Sequence, residues 1–171
     1  MEEQLINRLE SNLSVINDQL NNREREEYFF KPDPEAWSMI QVISHLVDEE
    51  QYDFRARLFS VLDDPNKKLP AFDPVKTLEA KSFVDDDFNE LLDQFMDERI
   101  KSVAMLRLVD NDKWDNAYNH PKVGPLSAHF FLTNWVAHDY IHIQQINRLA
   151  YLFLEYKTQT DLDYAGNFRI G

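Results

Sequence analysis

The chain has 171 residues, about the size of one domain, and carries a formal charge of −13. An acidic surface repels phosphate backbones, and Arg55 and Arg57 are isolated among acids, so we expect no nucleic-acid partner. Cysteine is absent, which excludes disulfides, thiolate metal ligands and a protein thiol nucleophile. No apolar signal core opens the chain and no stretch approaches the roughly 20 apolar residues that span a bilayer, so we expect a soluble, cytoplasmic protein without a membrane partner.

The first half of the chain contains two segments with helical periodicity. The first repeats apolar residues at steps of three and four, at Leu5, Leu9, Leu13, Ile16 and Leu20, which indicates one inward-facing stripe. The second is predicted over residues 39–62. Ser38 and Gln41 have the spacing of a capping box at its start, and Trp37 and Val42 have the spacing of a hydrophobic staple.

The second half contains two more helical segments. The third is predicted over residues 85–109, and its first turn holds Asp85, Asp86 and Asp87, which suit the positive end of the helix dipole. The fourth is predicted over residues 126–156, directly after Gly124 and Pro125. These segments predict an all-α four-helix bundle.

Three connectors separate these helices, at residues 23–36, 63–84 and 110–125, and we expect each to be a loop. The second is long for a helix hairpin, so it permits a crossover after which helices two and three run parallel. Only three glycines are present, which argues against a β-rich fold with many tight turns. We predict one domain over residues 1–156 and a polar C-terminal tail over residues 157–171.

Helical geometry sorts the five histidines. His138 and His142 are four residues apart, so they share one helix face, and apolar neighbours on that face direct the pair into the bundle. His129 falls about half a turn away from His138, on the opposite face. His45 borders an apolar stripe of the second helix and can also face the core, whereas His120 lies in a predicted loop and cannot be placed.

Three converging imidazoles would hold one divalent metal ion and leave coordination positions open for water or substrate. The competing interpretation is that these are hydrogen-bonded core histidines. Four nearby acids, Asp48, Glu49, Glu50 and Asp139, could orient the ligands, although a solvated acidic face is the expectation for most of them. Since each ligand must be neutral, metal affinity is expected to fall as the pH drops through the imidazole range near about 6.5.

Three segments resemble the DinB/YfiT-like superfamily, and the resemblance runs from about residue 9 to residue 149. They are PDPEAWSMIQVISHLVDEE (residues 32–50), HPKVGPLS (residues 120–127) and NWVAHDYIHIQQINRL (residues 134–149). The first is similar to the family's Trp-Ser entry to helix two with its histidine. The third is similar to its paired histidines followed by a glutamine. The resemblance implies a metal site at His45, His138 and His142, within a four-helix bundle that has crossover connections and often forms homodimers.

The resemblance also bears on activity. Family members with known activity include thiol S-transferases that use low-molecular-weight thiols, so the resemblance implies a small-molecule substrate, and the first hypothesis is a metal-dependent thiol transferase. A metal-dependent hydrolase is the second hypothesis, with Glu49 or Asp48 as the base if either lies near the open metal position. The third is a non-catalytic, metal-stabilised binding or dimerisation module, in which His120 or a carboxylate closes the site. Three imidazoles suit zinc or nickel, with iron and cobalt as alternatives.

Overall fold

A computed structural model describes residues 1–84, 87–166 and 168. Asp85 and Asp86, which were predicted to begin the third helix, lie outside the described residues. The elements in chain order are α1 (Glu2–Leu20), α2 (Arg25–Phe29), α3 (Met39–Asp48), a π-helical turn (Glu49–Phe54), α4 (Arg55–Asp63), α5 (Pro74–Glu79), α6 (Asp87–Leu106), β1 (Ala117–His120), β2 (Gly124–Ser127) and α7 (Ala128–Thr158). Single 3₁₀ turns cover Asn111–Lys113 and Asp163–Ala165.

Four helical rods form the bundle, and the prediction of an all-α four-helix fold is confirmed. They are α1, the continuous rod from α3 through the π turn to α4, α6, and α7. Contacts from Asn12 to Asp139 and from Gln19 to Asn147 show that α1 and α7 run parallel. Every rod directs an apolar stripe inward, as the sequence periodicity requires.

The core contains two apolar clusters, and their membership gives the direction of the other rods. One cluster joins the first turns of α3 with those of α6, as in Ile43 and Phe88. The other joins α4 with the last turns of α6, as in Val61 and Leu106. The α3–α4 rod and α6 are therefore parallel, as expected if residues 63–84 form a crossover. Within that crossover, α5 begins at Pro74, with Asp73 as its N-cap.

Helix starts follow the capping rules. Ser38 and Gln41 form the predicted capping box at α3, with the backbone N–H of Ser38 donating to Gln41 Oε1 over 3.0 Å. At α7, Ser127 is the N-cap and its hydroxyl accepts from the backbone N–H of Phe130 over 3.0 Å. The helix therefore begins at Ala128 rather than at residue 126, because the residues just before it belong to a strand.

That strand corrects the prediction of a loop over residues 110–125. β1 and β2 pair antiparallel, with Ala117 opposite Ser127 and His120 opposite Gly124. Each strand has four residues, which is too short for an alternating pattern to stand out in the sequence. Gly124 has a φ of 84°, a conformation that glycine adopts without steric cost. This residue therefore lets the chain leave the turn and begin the second strand.

The last helix extends into the segment predicted to be a polar tail. α7 runs to Thr158, two residues into the segment assigned to the tail, and Tyr151 Oη donates to the carbonyl of Gly166 over 3.2 Å. The division into a domain and a tail remains a prediction. Among the described helices, none is both long and apolar enough to cross a membrane.

Candidate metal centre

Three imidazoles meet in the space between α3 and α7. His45 projects from the last turn of α3, and His138 and His142 project from one face of α7, one helical turn apart. His138 Nε2 lies 3.2 Å from His45 Nε2 and 3.1 Å from His142 Nε2. One ligand atom from each of the three lies within 4.8 Å of the others. The structure thus brings together all three histidines that the sequence selected.

The protonation of these rings favours a cation between them. His142 Nδ1 lies 2.8 Å from Gln145 Oε1, an acceptor, so Nδ1 carries the proton and Nε2 presents its lone pair to the cluster. At zinc–imidazole bond lengths of ~2.0–2.1 Å, ligand nitrogens lie about 2.9 Å apart at a right angle and about 3.4 Å apart at the tetrahedral angle. The two Nε2 separations fall inside that range. The three residues can hold a divalent ion, and their assignment as its ligands remains a prediction.

Burial keeps the three rings neutral. Removal from water, followed by the proximity of the other two imidazoles, lowers the pKa of His45 from 6.5 to about 3. Removal from water and the neighbouring His142 lower the pKa of His138 to about 3 as well. The pKa of His142 is also lowered by burial, against the opposing effect of its bond to Gln145. Neutral imidazole is the form that binds a metal, so the site is prepared for one well below neutral pH.

Aromatic rings enclose the cluster. Trp37, at the entrance to α3, meets His45 edge-on at 5.0 Å between ring centroids and lies parallel to His142 at 6.5 Å. Phe54, at the end of the π turn, packs against His138 at 5.1 Å and stacks on Trp135 at 5.8 Å. Besides its predicted place in the hydrophobic staple at the start of α3, Trp37 therefore lines one side of the histidine cluster.

The four acids near the site are all buried, which corrects the expectation that most form a solvated face. Asp48 accepts from Lys81 Nζ over 2.6 Å, and the same ammonium donates to Ser44 Oγ. Glu50 and Asp139 both pair with Arg99. Buried carboxylates require cationic or hydrogen-bonding partners, and these partners come from other elements that a single-helix argument cannot see.

Arg99 is the centre of a buried polar network that the sequence analysis missed. Its guanidinium donates to both carboxylate oxygens of Glu50 at 3.0 and 2.9 Å and to both of Asp139 at 2.7 and 2.8 Å, and also to the carbonyl of Leu9 at 3.1 Å. Trp135 Nε1 donates to Glu50 over 3.1 Å. Burial raises the pKa of Glu50 and would lower that of Arg99, but the two carboxylates raise the Arg99 pKa instead. The network joins α1, the π turn, α6 and α7 directly beside His138.

The fourth acid, Glu49, approaches the site differently. Its Oε1 lies 3.9 Å from His45 Nδ1, and both side chains are buried. Its carboxyl group hydrogen-bonds to that of Asp53, whose Oδ1 lies 2.6 Å from the guanidinium of Arg57. Burial, with the charge of Asp53 second, raises the pKa of Glu49 to about 8, and burial raises that of Asp53 against the effect of Arg57. Near neutral pH the two carboxyl groups therefore share one proton.

The two remaining histidines lie elsewhere. His129 Nδ1 contacts Glu2 Oε1 at 2.9 Å on the outside of the bundle, in line with its predicted exclusion from the pair. His120 is on β1, where its Nδ1 accepts from the backbone N–H of Lys122 over 3.3 Å. Among the described residues, neither His120 nor any carboxylate joins the cluster of three.

Fold and site together define a four-helix bundle that can hold a divalent metal on three histidines from two helices. A sequence model of the DinB superfamily matches residues 8–146, and the chain belongs to that superfamily. Its structure is similar to that of YfiT from Bacillus subtilis, with a TM-score of 0.75 and 16% identity over 94% of this chain and 89% of the other. That protein is described as a probable metal-dependent hydrolase with an unusual four-helix bundle topology. No curated protein matches the chain.

Proposed function

We propose that the protein is a metal-dependent enzyme in which His45, His138 and His142 hold one divalent ion, zinc or nickel before iron or cobalt. The observation that carries the proposal is the convergence of three neutral Nε2 atoms, at 3.1 and 3.2 Å from His138 to its two neighbours. No fourth side-chain ligand closes the site among the described residues, which favours an enzyme over a structural module. When bound, the ion would act as a Lewis acid and lower the pKa of a nucleophile that reaches it.

The surroundings favour a thiol of low molecular weight as that nucleophile. Hydrolysis was assigned to Glu49 or Asp48 only if one of them lay near the open metal position. Asp48 is engaged by Lys81, and Glu49 approaches His45 at Nδ1, the ring nitrogen that does not face the cluster. A thiol needs little help from a protein base, because its pKa of ~8.5 is already near neutrality. The missing base therefore weakens the hydrolase more than the transferase.

Side chains around the three histidines would line the site of this reaction and orient its ligands. Trp37 packs against His45 and Phe54 packs against His138, so two aromatic rings line the cluster. Gln145 fixes the tautomer of His142, so that its lone pair always faces inward. In thiol transfer, the sulfur forms a bond to an electrophilic carbon, the leaving group departs with the bonding electrons, and the thiol proton passes to solvent. By family resemblance we also propose that the protein acts as a homodimer.

The test begins with the metal content of protein purified without a histidine tag. A panel of small thiols is then assayed with a chlorinated dinitroarene, whose substitution releases chloride and is followed by absorbance. Wild type is compared with His142→Ala, and with His129→Ala as the matched variant outside the cluster. Turnover that needs thiol and metal and is lost only in His142→Ala supports the proposal. No metal-dependent turnover with any thiol would overturn the transferase, and thiol-independent transfer of labelled oxygen from water to ester or amide products would establish the hydrolase instead.

A further inference from the structure

We propose that Glu49 is a positioning residue that orients His45 through Nδ1, an inference that depends on the metal site of the proposed function. A neutral imidazole has one N–H, so if Nε2 of His45 binds a metal, Nδ1 must carry the proton. That Nδ1 is buried and makes no hydrogen bond within the described part of the chain. Glu49 Oε1 lies 3.9 Å away, about 1 Å beyond hydrogen-bond length, which a small side-chain rotation can close.

Of the four buried acids near the cluster, Glu49 is the one suited to this role. Asp48 is held by Lys81, and Glu50 and Asp139 are held by Arg99. Within the described part of the chain, none of these three acids forms a hydrogen bond or ion pair with a nitrogen of the three histidines. Glu49 instead lies on the same helix as His45, four residues later and therefore on the same face. A carboxyl oxygen that accepts from the second nitrogen of a ligand histidine fixes the orientation of the ring, and Glu49 can offer one while it shares a proton with Asp53.

Glu49 is itself held in place by a row of side chains at four-residue intervals. Its carboxyl group bonds to Asp53, which pairs with Arg57 over 2.6 Å. In a regular α-helix each step of four overshoots a full turn by about 40°, so three steps from His45 to Arg57 would drift by about 120°. The π turn at Glu49–Phe54 is wider and advances each residue through a smaller angle, which offsets this drift. The π turn thus keeps the row aligned behind His45.

The experiment measures the affinity of metal-free protein for Zn²⁺ and Co²⁺ by competition with a chelator. Glu49→Leu keeps the side-chain volume but removes the acceptor, and it should weaken binding by about 10–100-fold, the usual effect of losing such a partner. Glu49→Gln retains an acceptor oxygen and should recover most of that loss. Asp48→Asn is the matched control, a neighbouring buried acid with a different partner, and should stay within about threefold of wild type. Glu49→Met replaces the leucine variant if circular dichroism shows the latter to be unfolded.

The visible spectrum of bound Co²⁺ gives a second readout, because it reports ligand geometry rather than stability. We expect it to change in the apolar Glu49 variant and to be preserved in Asp48→Asn. If wild type binds metal and the apolar variant binds it equally well with the same spectrum, the role of Glu49 is refuted while the metal site stands. An equal loss in Asp48→Asn would also refute it, as a general effect of removing a buried acid. If wild type binds neither metal, the proposed function fails first.

Discussion

Removing the Arg99 side-chain charge should destabilise the protein more than any surface substitution of the same kind. Arg99→Met preserves most of the aliphatic volume but leaves Glu50 and Asp139 buried without their common cation. The two carboxylates are 1% and 0% exposed, so water cannot solvate them in place of the guanidinium. Every hydrogen bond that Arg99 donates to the two carboxylates is lost at once, together with its bond to the carbonyl of Leu9.

The expected cost follows from that burial. Breaking a buried ion pair by removing one partner costs about 3–5 kcal/mol, because an uncompensated charge stays inside. Two carboxylates are left here, so the upper part of that range applies. For a chain of this length each kcal/mol lowers the midpoint of thermal unfolding by about 2–4 °C, so a cost of about 4–5 kcal/mol should lower it by roughly 8–20 °C.

The assay is thermal and urea unfolding of metal-free protein at neutral pH, followed by circular dichroism. Arg107→Met is the control, since Arg107 pairs with Glu10 over 2.7 Å on the exposed surface and its loss should change the midpoint little. Adding Glu50→Gln to Arg99→Met returns the network to its wild-type net charge and should recover part of the loss. If Arg99→Met melted as Arg107→Met does, the buried network would contribute nothing and the reasoning would be refuted.

Three further outcomes follow from the structure. Because burial holds the pKa of His45 and His138 at about 3 against 6.5 in the unfolded chain, the unfolded state binds more protons below 6.5, and each histidine should lower the stability of metal-free protein by up to about 2 kcal/mol between pH 6.5 and 5. Glu49, whose pKa is raised to about 8, acts in the opposite sense over this interval, so a urea midpoint that falls no more steeply in wild type than in His138→Ala would contradict the role of His138. In chelator competition, His138→Ala and His142→Ala should each abolish tight metal binding, whereas His129→Ala, on the outer face, should not. Equal metal affinities for all three variants would refute the three-histidine site. Gly124→Ala should cost about 1–2 kcal/mol from its φ of 84° alone, since no atom lies within 4 Å of the added Cβ, and an unchanged urea midpoint would show that the hairpin relaxes.

The low pKa values also change an expectation drawn from the sequence. Free imidazole titrates near 6.5, so metal affinity was expected to fall as the pH dropped through that value. In the folded protein the pKa of His45 and His138 is about 3, so protons compete weakly with a metal until the protein itself unfolds. Loss of metal on acidification should therefore follow unfolding rather than ring protonation.

The sequence predicted the features that are fixed within one helix better than those that depend on packing between helices. The four rods follow from apolar spacing, and the relation of His138 to His142 is fixed by one helix, so both could be inferred without tertiary information. The side of the bundle that His45 faces depends on how α3 packs against α7, and geometry alone left it open until the family resemblance selected it. The π turn escaped prediction because a shift of hydrogen bonds by one residue leaves the apolar pattern almost unchanged.

The buried acids were misjudged for a related reason. A carboxylate is usually exposed unless it is paired, and its partner lies on another element. One signal was available in α6, where Arg99 occupies a position of the apolar series formed by Phe88, Leu92, Phe95, Val103 and Leu106. A lone arginine at a core position predicts buried acids to receive it. Glu50 and Asp139 were candidates for that pairing. An inward-facing Arg99 would therefore have predicted that these two acids are buried rather than exposed to solvent.

The arrangement of charge around the three histidines favours one dication over several protons. Protonating the cluster would place separate positive charges on nitrogens about 3 Å apart, and both burial and mutual repulsion oppose that. A single ion satisfies all three lone pairs at once. Behind His138, one guanidinium faces two carboxylates, so the network around Arg99 retains a negative charge when both are ionised. The charge of Arg99 lowers the pKa of His138, whereas that of Asp139 raises the pKa of His142 against burial, so burial is what keeps the rings neutral and ready for a cation.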